Sequence, residues 1–269
     1  MGGLLPQAST FAASIDSLFI VVLIVTGIAF VLVESILITF LVRYRHRREQ
    51  KAVYVHGSRR LELAWTIGTG IAFFSLALYQ YNTWIQVKAT LPDASQALVV
   101  GIASNQFEWE PTYPGADGEL CTADDAHPPR NILHFPTGRP VIVRIKSEDV
   151  IHSFFVPELR IKQDAVPGRQ IEFWFEPTLP GQYELACAEL CGLGHYRMRA
   201  EITVESQVDF DAWLAEQTGA AAEHDFCNVA PLPPADSARG QAPADSARGQ
   251  APADSARGQA AASAAQGAP

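Results

Sequence analysis

The sequence predicts two membrane-spanning helices, then an exported all-β sandwich or barrel, then a solvated tail. Three observations carry that fold class: two long apolar runs near the N-terminus, short alternating runs broken by Gly and Pro through the middle, and a tandem repeat at the end. The chain of 269 residues is 48% hydrophobic and 18% charged, too apolar for a disordered chain and too mixed for a polytopic membrane protein. Its 29 acidic residues against 20 basic ones give a formal net charge of −9, which excludes a general nucleic-acid binder, since that needs a cationic footprint.

The first apolar run extends from Leu18 to Val42, with Glu34 its one ionisable residue. As a helix rising about 1.5 Å per residue it crosses a hydrocarbon core of about 30 Å. A carboxylate at that depth should face protein or water, so Glu34 is expected to meet a partner subunit or to be protonated. The second run starts near Leu63 and continues past Leu78 into Tyr79, Tyr81 and Trp84, with Trp65 at its other end; these aromatics read as interfacial belts around a span of about 63–84. Between the runs, Arg43, Arg45, Arg47, Arg48, Lys51, Arg59 and Arg60 face a single acid, Glu49. Short loops rich in Lys and Arg stay cytoplasmic, which places both termini and the β-domain on the outer side. No basic stretch precedes the first run, and the run is long for a signal core, so the hairpin (1–88) is expected to be retained.

From Lys88 onward there are 25 acidic residues against 13 basic ones, a surface that attracts a cationic partner. ALVVGIASNQFEWE, RPVIVRIKSE, RQIEFWFEPT, GQYELACAE and MRAEITVES all read as strands, and no long amphipathic helix separates them, which disfavours a parallel βαβ sheet. A Greek-key sandwich or barrel within 89–228 fits this strand density. A short closing helix is expected from Asp209, with Phe210, Trp213 and Leu214 on one side. PADSARGQA then repeats from Pro234, Pro243 and Pro252; it has nothing to bury, so 229–269 is expected to be a disordered linker.

The chemistry is concentrated in Cys187-Ala-Glu-Leu-Cys191-Gly-Leu-Gly-His195-Tyr-Arg-Met198. Two thiols, an imidazole and a thioether sit in one short stretch, with glycines that let the backbone fold tightly. Soft sulfur donors with imidazole select copper or zinc over hard cations. A distant His152, in DVIHSFFVPEL directly after RPVIVRIKSE, supplies a second imidazole if strand ends bring its loop alongside. Two Cys and two His would suit zinc; the methionine favours copper, for which a thioether is a usual weak ligand.

CAELCGLGHYRM, together with the upstream VIHSFFVPELRIKQDAVPGR, closely resembles the binuclear copper A site of cytochrome c oxidase subunit II, and the resemblance covers residues 11–205. It implies a cupredoxin-like exported domain in which Cys187 and Cys191 bridge two copper ions. His152 and His195 would each bind one copper, Met198 would be a weak ligand, and the backbone carbonyl of Glu189 would complete the set. It implies that the Glu189 carboxylate contributes to a magnesium site shared with subunit I, unless it is simply a surface acid. Glu62 matches a carboxylate at the mouth of a proton pathway, although Arg59 and Arg60 beside it also suit an ordinary ion pair.

Many relatives carry Gln-Trp-Tyr-Trp where this chain has Gln106-Phe107-Glu108-Trp109, so Phe107 replaces the tryptophan that usually receives the electron. Trp109 is left either to serve electron entry or to pack against a strand neighbour. The acidic stretch YPGADGELCTADDAHPP suits a lysine-rich cytochrome c as donor, or is a solvated loop. No Cys-x-x-Cys-His occurs, so no haem is expected on this chain. The implied assembly lies in a bacterial plasma membrane, with lipid around the hairpin, a haem-bearing subunit I and other oxidase subunits as partners, and oxygen reduction coupled to proton translocation. Two other functions stay open: electron entry to a copper-A nitric oxide reductase, and a membrane-anchored copper carrier. Cys121 and Cys227 remain; on an oxidising side they would form a disulfide or stay as two independent thiols.

Overall fold

The structure, a computed structural model, describes residues 5–47, 51, 54, 56–217 and 226–228. The repeat tail expected over 229–269 lies outside the described residues.

Helix α1 (Ala12–Arg43) and helix α2 (Arg59–Trp84, continued by a π-turn over Ile85–Ala89) are both long and apolar enough to cross a membrane. Most of their large side chains are exposed, Phe30, Phe73 and Leu41 among them, as suits a lipid solvent. Polar residues inside them are satisfied locally. The Thr26 and Thr39 hydroxyls each donate to the carbonyl four residues back, at 2.7 Å. The Ser58 hydroxyl caps α2 by accepting from the Leu61 N–H at 3.4 Å, and Glu62 lies in the first turn, where a carboxylate complements the helix dipole. Helix α1 begins six residues earlier than the apolar run predicts. The reason is tertiary: Ala8, Phe11 and Ala12 are buried, and the Phe11 ring packs edge-on to Trp174 at 4.6 Å.

Among the described residues nine strands follow: β1 (Leu98–Asn105), β2 (Glu108–Thr112), β3 (Ile132–Pro136), β4 (Val141–Ser147), β5 (His152–Val156), β6 (Ile161–Ala165), β7 (Ile171–Phe175), β8 (Gly181–Cys187) and β9 (Arg199–Glu205). They form two sheets, ordered β2-β1-β4-β7 and β3-β9-β8-β5-β6. β1 runs parallel to β4 and β3 parallel to β9, with no crossover helix; the remaining pairs are antiparallel. Alternate residues point between the sheets, where Val100, Ile102, Leu133, Phe135, Val143, Ile145, Phe154, Phe175, Leu185 and Ile202 are buried. Helix α3 (Gln207–Gln217) closes one end, with Phe210 buried and Trp213 stacked on His134 at 3.9 Å. Cys121 and Cys227 form a disulfide, with Cα atoms 5.4 Å apart. Beside it, Phe226 is buried and packs so closely on Gly101 that a side chain there would collide with its ring.

Hairpin and sandwich are joined at two places, the start of α1 and the turn after α2. Arg160 Nε and Nη2 donate to Asp16 Oδ1 and Oδ2 at 2.7 and 2.9 Å, and its Nη1 donates to the Pro157 carbonyl at 2.7 Å. The Ala8 and Thr10 N–H groups donate to the carbonyls of Glu158 (3.0 Å) and Glu176 (3.2 Å). From α2, the Gln86 carbonyl accepts from Trp174 Nε1 at 3.2 Å, and Lys88 Nζ donates to Gln163 Oε1 at 3.0 Å. Removing the fork with Arg160→Ala should destabilise this junction by about 2 kcal/mol, in line with the loss of hydrogen bonds between charged groups. Hydrogen exchange should then quicken at the Ala8 and Thr10 amides; unchanged protection there would contradict the strut.

Candidate metal centre

The site lies where β5, β8 and β9 end together. Cys187 closes β8, and its N–H donates to the carbonyl of Met198, the residue before β9, at 3.1 Å. The Ala188 N–H donates to the Ser153 carbonyl at 3.1 Å, which fixes β8 beside the start of β5, where His152 stands. His152 therefore opens a strand rather than occupying the loop expected from sequence. Between Cys187 and Met198 the chain makes a tight loop: the His195 N–H donates to the Gly192 carbonyl at 3.1 Å, and a 3-10 turn covers His195–Arg197. Gly192 has φ +133°, and Gly194 lies against the Phe107 ring so closely that no Cβ fits.

This folding brings all the predicted ligands together. The thiol sulfurs of Cys187 and Cys191 are 3.8 Å apart, and Cys191 Sγ lies 3.6 Å from His195 Nδ1 and 3.7 Å from Met198 Sδ. His152 Nδ1 is 3.1 Å from Met198 Sδ. The ligand atoms of His152, Cys187 and Cys191 all fall within 4.8 Å of one another. The Glu189 carbonyl accepts from Cys187 Sγ at 3.2 Å, so it too faces the pocket. His152 is fully buried, Cys187, Cys191 and Met198 nearly so, and His195 is half-buried. Two thiols, two imidazole nitrogens, a thioether and a carbonyl converging in a largely buried pocket are a donor set for soft metal, and they fit a pair of copper ions.

Electrostatics divide the two thiols. Burial pushes the Cys187 thiol up, but hydrogen bonding from His152 and from backbone at Glu189 and Ser153 outweighs it and brings the group down to about 6. Burial and the neighbouring Cys187 thiolate push Cys191 up to about 12. Burial opposes the charged form of His152, but hydrogen bonds to Cys187 and Asp149 more than offset it and raise that imidazole.

The remaining predicted residues fall into place around this core. The Glu189 carboxylate is paired with Lys162 Nζ at 2.9 Å, and the same ammonium pairs with Asp164 at 2.6 Å. Trp109 is fully buried, its ring edge-on to His152 (6.2 Å) and Phe154 (6.0 Å), so it makes no direct contact with an incoming partner. Phe107 is half-buried on the ligand loop, with the Arg197 guanidinium 5.8 Å from its ring centre. Glu62 is at the end of α2 far from the sandwich, outside the site. Two residues that sequence reasoning passed over touch the site: Asp149 Oδ1 lies 2.7 Å from His152 Nε2, and the Gln106 side-chain amide donates to the Cys191 carbonyl. The Asp-x-x-His spacing was the available signal for the first; nothing local marked the second.

A buried dithiol–diimidazole pocket at one end of a cupredoxin-like sandwich, tethered to two spanning helices, defines a membrane-anchored electron-transfer module. The family "Cytochrome C oxidase subunit II, periplasmic domain" matches residues 112–207, and "Cytochrome C oxidase subunit II, transmembrane domain" matches residues 2–83. The alternative cytochrome c oxidase subunit 2 of Bradyrhizobium diazoefficiens is 34% identical over 214 residues, covering 72% of this chain and 76% of that protein. Cytochrome c oxidase subunit 2 of Synechocystis is 29% identical over 258 residues (82% and 78%), and that of Cereibacter sphaeroides 28% over 266 residues (87% and 85%). The chain belongs to the cytochrome c oxidase subunit II family and is a membrane-anchored subunit of an oxidoreductase complex.

The depressed Cys187 thiol gives a pH signature in the metal-free chain. Below about 6 the thiol is protonated, and above that it is thiolate, so alkylation of Cys187 should rise through pH 6 and be lost as the pH falls below it. Cys191 should stay unmodified across that window. Mass spectrometry of iodoacetamide-treated protein reads both, and a Cys187 profile centred at an ordinary thiol value would refute the assignment.

Proposed function

We propose that this chain is the electron-entry subunit of a haem–copper cytochrome c oxidase, taking electrons from cytochrome c at a binuclear copper A centre and passing them to haem in subunit I. The observation that carries the reading is the convergence of both Sγ atoms, both histidine Nδ1 atoms, Met198 Sδ and the Glu189 carbonyl on one buried pocket. Cys187 and Cys191 would bridge the two copper ions, His152 and His195 would bind one each, Met198 would be a weak ligand, and Glu189 would contribute its backbone oxygen. A copper pair held by these residues would supply a one-electron store whose bonding changes little on reduction, which suits rapid acceptance and release. The protein's part is to keep the donors in place in both redox states: β5 holds His152 and β8 holds Cys187, Met198 directly precedes β9, and Phe107 seated on Gly194 restrains the loop that holds the rest. Subunit I then reduces oxygen, and the complex translocates protons.

The same reading orients the chain. The basic loop after Arg43 faces the cytoplasm of a bacterial plasma membrane, and the sandwich (89–228) stands on the outer side, with the hairpin as 1–88 and the repeats beyond 228 as a linker. Phe107, with the exposed Leu190, Leu193 and Tyr196, forms an apolar contact for cytochrome c, while the buried Trp109 lies behind His152. A magnesium ion shared with subunit I would take the Glu189 carboxylate and require Lys162 to turn away from it. Glu62, at the opposite end of α2, would stand at the cytoplasmic mouth of a proton pathway.

In the purified oxidase, Cys187→Ser or Cys191→Ser should abolish the mixed-valence dicopper spectrum and reduce turnover with cytochrome c at least about 100-fold, because one bridge does not maintain the pair. Met198→Leu should keep both coppers and shift the spectrum and potential. A wild-type spectrum in either serine variant would defeat the reading, and a single-copper spectrum in the native complex would favour a carrier.

The donor is tested through charge. Acidic residues outnumber basic ones in the exported part, so turnover with a cationic cytochrome c should fall about tenfold as ionic strength rises from about 0.01 M to well above 0.15 M. A rate indifferent to salt would remove electrostatic steering.

A further inference from the structure

One carboxylate outside the ligand set touches both halves of the site. Asp149 ends the turn after β4, three residues before His152. Its Oδ1 lies 2.7 Å from His152 Nε2 and accepts the Val150 N–H at 2.6 Å, while its Oδ2 accepts the Gln106 N–H at 2.8 Å. A carboxylate surrounded by N–H groups is an acceptor, so Asp149 holds a His152 proton on Nε2, which leaves Nδ1, 3.1 Å from Met198 Sδ, as the nitrogen a bound metal would take. Gln106 continues the chain of contacts. Its side-chain amide donates to the Cys191 carbonyl, and the next residue, Phe107, lies on Gly192 and Gly194. Asp149 therefore links the histidine that begins β5 to the turn that presses on the cysteine loop, two segments about forty residues apart.

The geometry points to Asp149 as a positioning residue that fixes the tautomer of His152 and locks the Gln106–Phe107 turn to it. This inference rests on the copper A reading and deepens it. A ligating imidazole that donates its other N–H to a carboxylate is a stronger electron donor and cannot rotate, and removal of such a partner typically weakens metal binding by about 10–100-fold. A stronger donor favours the oxidised pair of metal ions, so loss of Asp149 raises the potential of the centre. The turn carries the second effect. Freed from Asp149, Gln106 loses its main-chain anchor, and the Phe107 face presented to the electron donor loosens while the six ligands remain.

The test uses the purified oxidase complex with Asp149→Asn and Asp149→Ala. Three quantities are read: the midpoint potential of the copper centre, the rate of copper loss to a chelator, and the exchangeable imidazole proton coupling seen by electron–nuclear double resonance. Both variants should raise the potential and speed copper loss by about 10–100-fold, with the near-isosteric asparagine the milder. The alanine variant should lose or shift the imidazole N–H coupling. Gln106→Ala keeps the main-chain N–H that Asp149 holds and removes only the side-chain bond to the Cys191 carbonyl, so the imidazole N–H coupling should stay at its wild-type value, which separates the Asp149 contact from the Gln106 side chain. If Asp149→Ala fails to assemble, Asp149→Asn decides through its potential. A potential and a copper-loss rate at wild-type values in Asp149→Asn would overturn the inference. Absence of a two-copper signal in the wild-type complex would overturn the underlying reading instead.

Discussion

Everything at the metal centre hangs on the register of three neighbouring strands. Phe154 of β5 pairs with Cys187 of β8, and Ala186 of β8 pairs with Arg199 of β9. Side chains alternate across a strand, so a slip of one residue in β5 would bring Ser153 to the position of His152 and turn Phe154 out of the core. The core resists that slip. Phe154 is fully buried between Trp109 (6.0 Å) and Phe173 (5.2 Å), and burial of a side chain of that size is worth about 1.5–3 kcal/mol. The metal donors themselves contribute little to this choice. Apolar packing one and two residues away holds them in line, which is how a rigid site can persist through changes in charge.

A second constraint fixes the site relative to the helical hairpin. The sandwich is held by the start of α1 through Arg160 and Asp16, and by the turn after α2 through Trp174 and Lys88. One tether would leave a rotation about its own axis; two tethers at separate points remove it. Lys88 also donates to the Lys162 carbonyl at 3.0 Å, and Lys162 in turn holds the Glu189 carboxylate, so the hairpin is connected to the ligand loop within two side chains. Electron transfer falls steeply with distance, and a module pinned in this way keeps one geometry toward both its donor and its acceptor.

The parts of this architecture that were legible in the sequence are those specified locally. A 25-residue apolar run is its own signal, and so is a loop in which two thiols, an imidazole and a thioether lie within twelve residues. What was missed depends on tertiary context. The run ALVVGIASNQFEWE reads as one strand but folds as two, β1 and β2, because its turn, Gln106-Phe107, carries none of the usual Gly or Asn signals. β3 and β6 are edge strands with one partner each; β6, IKQDA, is polar because part of it faces solvent, so it lacks the alternation that marks a strand. The identity of Trp109 suggested a surface role to weigh, yet its place one residue into an inward-facing stretch of β2 buries it. Gln106 was invisible for the same reason, an ordinary polar loop residue until the fold brings it to Cys191, and Asp149 left only the Asp-x-x-His spacing as a sign.

The surface around the site divides labour between forces of different range. The ligand loop presents Leu190, Leu193 and Tyr196 to solvent, more than three-quarters exposed each, with Arg197 beside Phe107. The excess of carboxylates lies elsewhere on the β-domain, as in the stretch containing Asp117, Glu119 and Asp124. Attraction between opposite charges extends over about a Debye length, roughly 8–10 Å at physiological salt, and so governs how often a cationic partner arrives. Apolar contact acts only at touching distance and so governs where it stops. On the proposed reading, this separation suits a donor that must dock, give up one electron and leave. An ion pair buried at the contact would have to be desolvated on every arrival and broken on every departure, at a cost of several kcal/mol per ion. A small apolar patch rimmed by distant charge avoids that cost and sets the last approach directly over the loop that carries Cys191 and His195.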